Sequence, residues 1–179
     1  VLLGAALALA LAAVPPAHAQ TAHEYEVKAA FLYNFARFVD WPEGSFLARD
    51  EPIVLAVAGD DPFGAVLERT IAGQTAQGRR FAVRRFRTRD QLGPCHILFV
   101  GSSEDYLAWL DAVARRQPTG VLTVGEGRGF ARRGTVAFLI DARRIQLAVN
   151  LDSIAAARLR VSSQLLALAR LVSSDERDD

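Results

Sequence analysis

Few side chains in this sequence are equipped for chemistry. Cys95 is the only thiol, and His23 and His96 are the only histidines beyond an apolar leader. They have no thiol cluster and no i, i+4 partner, so the spacing argues against a zinc site. No Gly-x-Ser-x-Gly elbow and no Walker loop occurs, which weakens a hydrolase or nucleotide-hydrolysing reading. Ser102, Ser103, Ser162 and Ser163 read as helix caps rather than nucleophiles. The Asp60-Asp61 pair could take a metal, but a capping role accounts for it better. Gly125, Gly127 and Gly129 invite a phosphate-binding reading, yet they lack the spacing and the following helix of a dinucleotide fingerprint, so a mobile turn is the favoured reading. These observations predict no catalytic residue, metal or cofactor, and a non-enzyme.

The elements that must position these residues read as follows. A helix is expected over 24–39, with Val27, Ala30, Phe31, Asn34, Phe35 and Phe38 on its buried stripe and Pro42 beyond its end. The continuous apolar run 53–58 suits a strand buried on both faces. A helix over 62–72 follows, with Asp61 as N-cap, Pro62 in its first turn and Gly73 past its end. Strands are expected over 81–86, 96–100 and 121–124. Ser102 or Ser103 would cap a helix over 104–116. Residues 135–140 and 145–149 read as a hairpin. Asp152 or Ser153 would cap a short helix to Arg158, and Ser162 or Ser163 a last helix through Val172. The alternation predicts one α/β domain: a single-layer, mostly parallel sheet flanked by helices, with an antiparallel hairpin in its C-terminal part.

In such sheets ligands bind at the carboxyl ends of strands, beside helix N-termini. That rule nominates a strand-end cleft of Asp60, Phe63, Gly64, Ser102, Ser103, Gly125, Glu126, Gly129 and Phe130 for a small ligand. Arg79, Arg80, Arg84, Arg85, Arg87 and Arg89 put six positive charges in eleven residues. A solvated edge strand is the first reading of that run, and an acidic protein partner the second. Cys95 has no intramolecular disulfide partner, and a buried, inert thiol is favoured over an intermolecular bridge.

Composition sets the compartment. Residues 1–19 hold 15 apolar residues and no charge, and Ala17-His18-Ala19 offers small residues for a signal peptidase. A signal peptide over 1–19, a domain over 20–172 and a polar tail over 173–179 are therefore expected. The apolar run is shorter than the roughly 20 residues that span a bilayer. Gln20 stands where a lipoprotein would need Cys, and export to the periplasm is the expectation. Twenty-one basic residues balance twenty acidic ones, and a net charge of +1 makes no case for nucleic acid. Only Lys28 among the basic residues is a lysine, which reads as a compositional bias.

The stretch from Val27 through Ala29-Ala30-Phe31-Leu32-Tyr33-Asn34-Phe35 to Trp41-Pro42 resembles the opening helix of the YfiR-like family of periplasmic proteins. The likeness continues through Asp61-Pro62-Phe63-Gly64, Cys95-His96-Ile97-Leu98-Phe99, Val121-Leu122-Thr123-Val124, Gly129-Phe130-Ala131, Asn150-Leu151 and the run 159–166. The resemblance implies a regulator, not a catalyst: a periplasmic protein, likewise dimeric, that restrains an inner-membrane diguanylate cyclase and is sequestered in turn by an outer-membrane lipoprotein. It also implies paired cysteines in some members, from which this chain departs. For a partner surface the candidates are Arg132, Arg133, Arg143 and Arg144, with Leu168 and Leu171 on the apolar last helix. The other expectation is a small-molecule sensor acting with a different receptor or transporter.

Overall fold

The computed structural model describes residues 17–175, apart from Ser103, Ala142 and Arg143. Most of the expected signal peptide, the end of the tail and the hairpin tip thus lie outside the described residues. Helix α1 (Ala17–Phe38) leads into β1 (Val39–Asp40), and β2 (Ile53–Ala58) follows after a long strap over 42–52. Then come α2 (Val66–Ile71), β3 (Thr75–Ala76), β4 (Arg79–Phe86), β5 (Ile97–Val100) and α3 (Tyr106–Arg116). The second half runs β6 (Leu122–Glu126), α4 (Gly127–Ala131), β7 (Val136–Asp141), β8 (Arg144–Asn150), α5 (Leu151–Ala156), β9 (Arg160–Val161), α6 (Ser163–Leu166) and β10 (Ala169–Val172).

Eight strands form the main sheet in the order β10-β8-β7-β6-β5-β2-β4-β3. β4, β2, β5, β6 and β7 are mutually parallel, β7 and β8 form the antiparallel hairpin, and β10 runs parallel to β8. Strand β2 is buried along its whole length because both faces are covered. Its Ile53, Leu55 and Val57 share one core with Leu32 and Phe35 of α1, while Val54, Ala56 and Ala58 lie in the second core with Trp109 and Ala112 of α3. Each fully buried side chain of this size contributes about 1.5–3 kcal/mol.

Five expectations are corrected. The buried stripe of α1 is Lys28, Ala29, Leu32, Phe35 and Ala36, continuing to Val39, so the helix is rotated by about one residue from the stripe read in the sequence. Helix α2 starts only at Val66, because Asp61 Oδ1 accepts the Phe63 N–H at 2.8 Å in a local turn instead of capping a helix. Asp105, not a serine, caps α3 by accepting the Ala108 N–H at 3.3 Å, and Asn150 caps α5 through the Ser153 N–H at 3.0 Å. The expected last helix ends after Leu166: Ser162 caps it, but residues 169–172 form β10 on the open edge of β8. Strong helix formers there yield to the ladder that β8 offers, a tertiary override of local preference.

Candidate functional site

Glu126 ends β6, and Gly127 turns the chain at once into α4 with φ +84°, a conformation that favours glycine. The expected flexible loop over 125–129 is thus a strand end joined directly to a helix. Gly125 serves packing: a Cβ there would lie 2.3 Å from the Phe130 ring, which fills the core below.

Glu126 is the hub of a polar cluster. The Lys28 ammonium, brought in by α1, donates to Glu126 Oε1 and to Glu24 Oε1 one helical turn earlier. Tyr25 Oη donates to Glu126 Oε1 at 3.2 Å, and the Ser102 N–H donates to Glu126 Oε2 at 2.8 Å. Lys28 is 1% exposed, and its ammonium also sits 4.4 Å from the Tyr25 ring centroid. Burial opposes ionisation of Glu126, but the Lys28 hydrogen bond and charge, with the Ser102 N–H, outweigh it and hold the carboxyl below its usual range. Burial first, then the Glu126 charge, pushes the Tyr25 phenol well above its ordinary value. Near neutral pH the cluster therefore holds Glu126 as an acceptor and Tyr25 as a donor, a fixed arrangement rather than a proton relay. It borders a cleft of about 490 Å³ that also reaches Phe138, Gln146, Arg128 and Arg170.

A second self-contained contact lies where the sheet order reverses, between β2 and β5. The Asp60 N–H donates to Glu104 Oε1 at 3.1 Å, and the buried Trp109 indole donates to Glu104 Oε2 at 3.2 Å. Gly59, at φ +71°, permits this approach, since a Cβ would lie 2.0 Å from the Glu104 carboxyl. Beside it, Arg85 pairs with Asp61 and Glu68 at 2.6 Å each and donates to the Gly64 carbonyl at 2.8 Å. Among the described residues no group of three or more His, Cys, Asp and Glu side chains could hold a metal ion.

The candidate residues read from the sequence distribute unevenly. Ser102 and Glu126 meet, and Asp60 sits in the neighbouring crevice. Phe63 is buried, edge-on to Tyr25 at 5.2 Å and to Phe99 at 4.8 Å; Gly64 is exposed. Gly125 and Phe130 lie in the core beneath, and Gly129 faces the Tyr106 hydroxyl. Ser103 and Arg143 lie outside the described residues. Arg132 and Arg133 precede β7, whereas Arg144 follows its far end, so these arginines stand at opposite ends of one strand. Leu168 is exposed just before β10 and Leu171 is exposed on it. Cys95 is buried, and burial pushes its thiol up to about 12 despite Arg84 nearby. Sequence reading missed Glu24, Tyr25, Lys28 and Glu104. The available signal was a lone lysine one turn after Glu24 and four residues before Leu32, on a helix otherwise rich in apolar groups.

The fold is thus a helix-flanked α/β sheet whose carboxyl end is closed by its own carboxylates. The YfiR/HmsC-like (DUF4154) family profile matches residues 25–170, and the chain belongs to that family. The family is one of periplasmic regulators of signalling, regulatory rather than catalytic. No curated protein matches the chain. No helix among the described residues is long and apolar enough to cross a membrane.

Proposed function

We propose that this chain is an exported, dimeric periplasmic regulator that binds and represses a membrane-bound signalling protein, a diguanylate cyclase of the inner membrane. Residues 1–19 would be the signal peptide, 20–172 the regulatory domain and 173–179 its tail. The family match over 25–170 carries the reading. The strand-end chemistry supports it, because Glu126, Lys28 and Glu104 are engaged with one another's surroundings instead of being presented to a substrate. A soluble repressor acts by binding the inactive state of its target more tightly than the active one. Leu168 and Leu171, exposed at the β10 edge, supply the apolar anchor, and the arginines before β7 and after the hairpin tip supply a polar rim. An outer-membrane lipoprotein would compete for the regulator and release the cyclase.

Deleting the gene is expected to raise cyclic di-GMP and surface attachment, and Leu168→Asp with Leu171→Asp in the full chain should do the same while the protein is still exported. Unchanged cyclic di-GMP in the deletion strain, with the cyclase present, overturns the cyclase reading. One observation favours a second reading, a small-molecule sensor acting with another receptor or transporter: the cleft of about 490 Å³ beside Tyr25 and Glu126. Nucleotides, amino acids and sugars tested for thermal shifts address it, and silence from all three classes counts against it.

A further inference from the structure

The strap over 42–52 crosses the amino ends of the central strands, far along the sheet from Glu126, and one histidine fastens it. His96 is 3% exposed at the entry of β5. The Val54 N–H donates to its Nδ1 at 3.0 Å, which leaves the proton on Nε2. Nε2 in turn donates to the Ser45 carbonyl of the strap at 3.0 Å. The imidazole stacks on the Phe46 ring at 4.2 Å with an interplanar angle of 11°, and the Arg79 guanidinium lies 3.8 Å from the centroid of that same ring. Arg79 also donates to the carbonyls of Ala48 and Glu51 at 2.9 and 2.8 Å. The Glu51 carboxylate accepts the N–H groups of Leu47 and Ala48. The strap forms one wall of an open groove of about 580 Å³, where Ser45, Leu47 and Glu51 face Leu92, Val113 and Gln117.

We infer that His96 is an acid-operated latch: protonation of its ring releases the 42–52 strap from the start of β5. The reason is a donor–acceptor conflict. An imidazolium has two N–H groups, so Nδ1 can no longer accept from Val54 and two buried donors face each other; the Nε2–H bond to Ser45 survives, so the ring must swing away from Val54 and carry the strap with it. The charged groups acting on the ring from the elements around it are Glu51 of the strap, which favours the cation, and Arg79 of β4, which opposes it. Burial outweighs the Ser45 bond and Glu51, and with Arg79 it holds the ring below its ordinary value of 6.5. The sign follows directly. The neutral, fastened form prevails at neutral pH, and its contribution to stability, present above 6.5, is lost as pH falls through the lowered folded value.

Hydrogen exchange of residues 43–51 in the full exported chain, corrected for intrinsic rates, tests the latch alongside the His96 ring titration followed by NMR. Protection should fall about tenfold as pH drops below 6.5, with the same midpoint as the ring, while residues 122–126 stay protected. Glu51→Gln, which keeps an acceptor for the strap amides but removes the charge favouring the imidazolium, should move both midpoints to lower pH. His96→Asn should abolish the pH-dependent step. Strap protection that stays flat while His96 titrates, or an opening with an unchanged midpoint in Glu51→Gln or His96→Asn, overturns the inference. A His96→Asn chain that does not fold leaves the Glu51→Gln comparison to decide.

Discussion

Replacing Lys28 by Met tests the central assignment, that Lys28 pins α1 to the sheet end rather than merely sitting near it. The Lys28 side chain is 2% exposed, against 27% for Glu24 and 10% for Glu126. Removing one partner of a buried pair costs about 3–5 kcal/mol, mostly through the charge left behind. Here Glu24 can turn to water, and Glu126 keeps Ser102 and Tyr25, which places Lys28→Met near the lower end, at about 3 kcal/mol. With a urea m-value of about 2 kcal/mol/M, the midpoint should drop by about 1.5 M at pH 7. Lys28→Met combined with Glu126→Gln removes both charges, so the double variant should recover most of that loss. The pH profile supplies an independent check. Glu126 is held below its ordinary value of 4.5, so its contribution is present above that pH and lost as pH falls through the folded value. Glu126→Gln should flatten this acid limb. A Lys28→Met loss below about 1 kcal/mol, or a double variant as unstable as the sum of the singles, refutes the reasoning.

Other outcomes follow from single contacts. The Cys95 thiol, pushed up to about 12 and buried, should resist alkylation at pH 8 in the native chain and react readily in urea; rapid native labelling would contradict its burial. Gly59→Ala should cost about 1–3 kcal/mol from the left-handed backbone and the collision with Glu104, and Glu104→Ala in the same chain should relieve only the collision. Arg85→Ala should cost about 0.5–1 kcal/mol, and the loss should shrink in high salt because the pairs with Asp61 and Glu68 are partly exposed. A loss that does not depend on salt would assign Arg85 mainly to the Gly64 carbonyl.

The strands were legible where burial writes itself into composition. Ile53–Ala58 is apolar throughout because both faces are covered, and the β7–β8 hairpin shows a break between two apolar runs. Helix ends were less legible because Asn, Asp and Ser are about equally good caps by type, and Asp105 and Asn150 take the roles read for Ser102 or Ser103 and for Asp152 or Ser153. Residues 169–172 misled because Ala, Arg and Leu are good helix formers, and only the unpaired edge of β8 makes them a strand. The site was half legible. Topology pointed to Ser102 and Glu126, but the stripe of α1 was read one residue out of phase, since a lysine flanked by glutamates reads as surface. What hides such a residue is that its burial depends on a carboxylate 98 positions away.

Closure of the sheet end also bears on what this member of the family can bind there. Open α/β sheets accept anions where loop N–H groups point outward beyond the strands. Here the Asp60 N–H is taken by Glu104 and the Ser102 N–H by Glu126, and the ammonium nearest the crevice is held by two carboxylates. An incoming phosphate would have to expel a carboxylate from each donor and would meet the other as a like charge. Inorganic phosphate and nucleotides should therefore leave the thermal midpoint of the full chain unchanged. Glu104→Ala, which frees the Asp60 N–H and the Trp109 indole, should be the variant in which phosphate first produces a shift. A phosphate-dependent shift in the unaltered chain that survives Glu104→Ala would mean that the anion binds elsewhere, and the argument from self-occupied donors would fail.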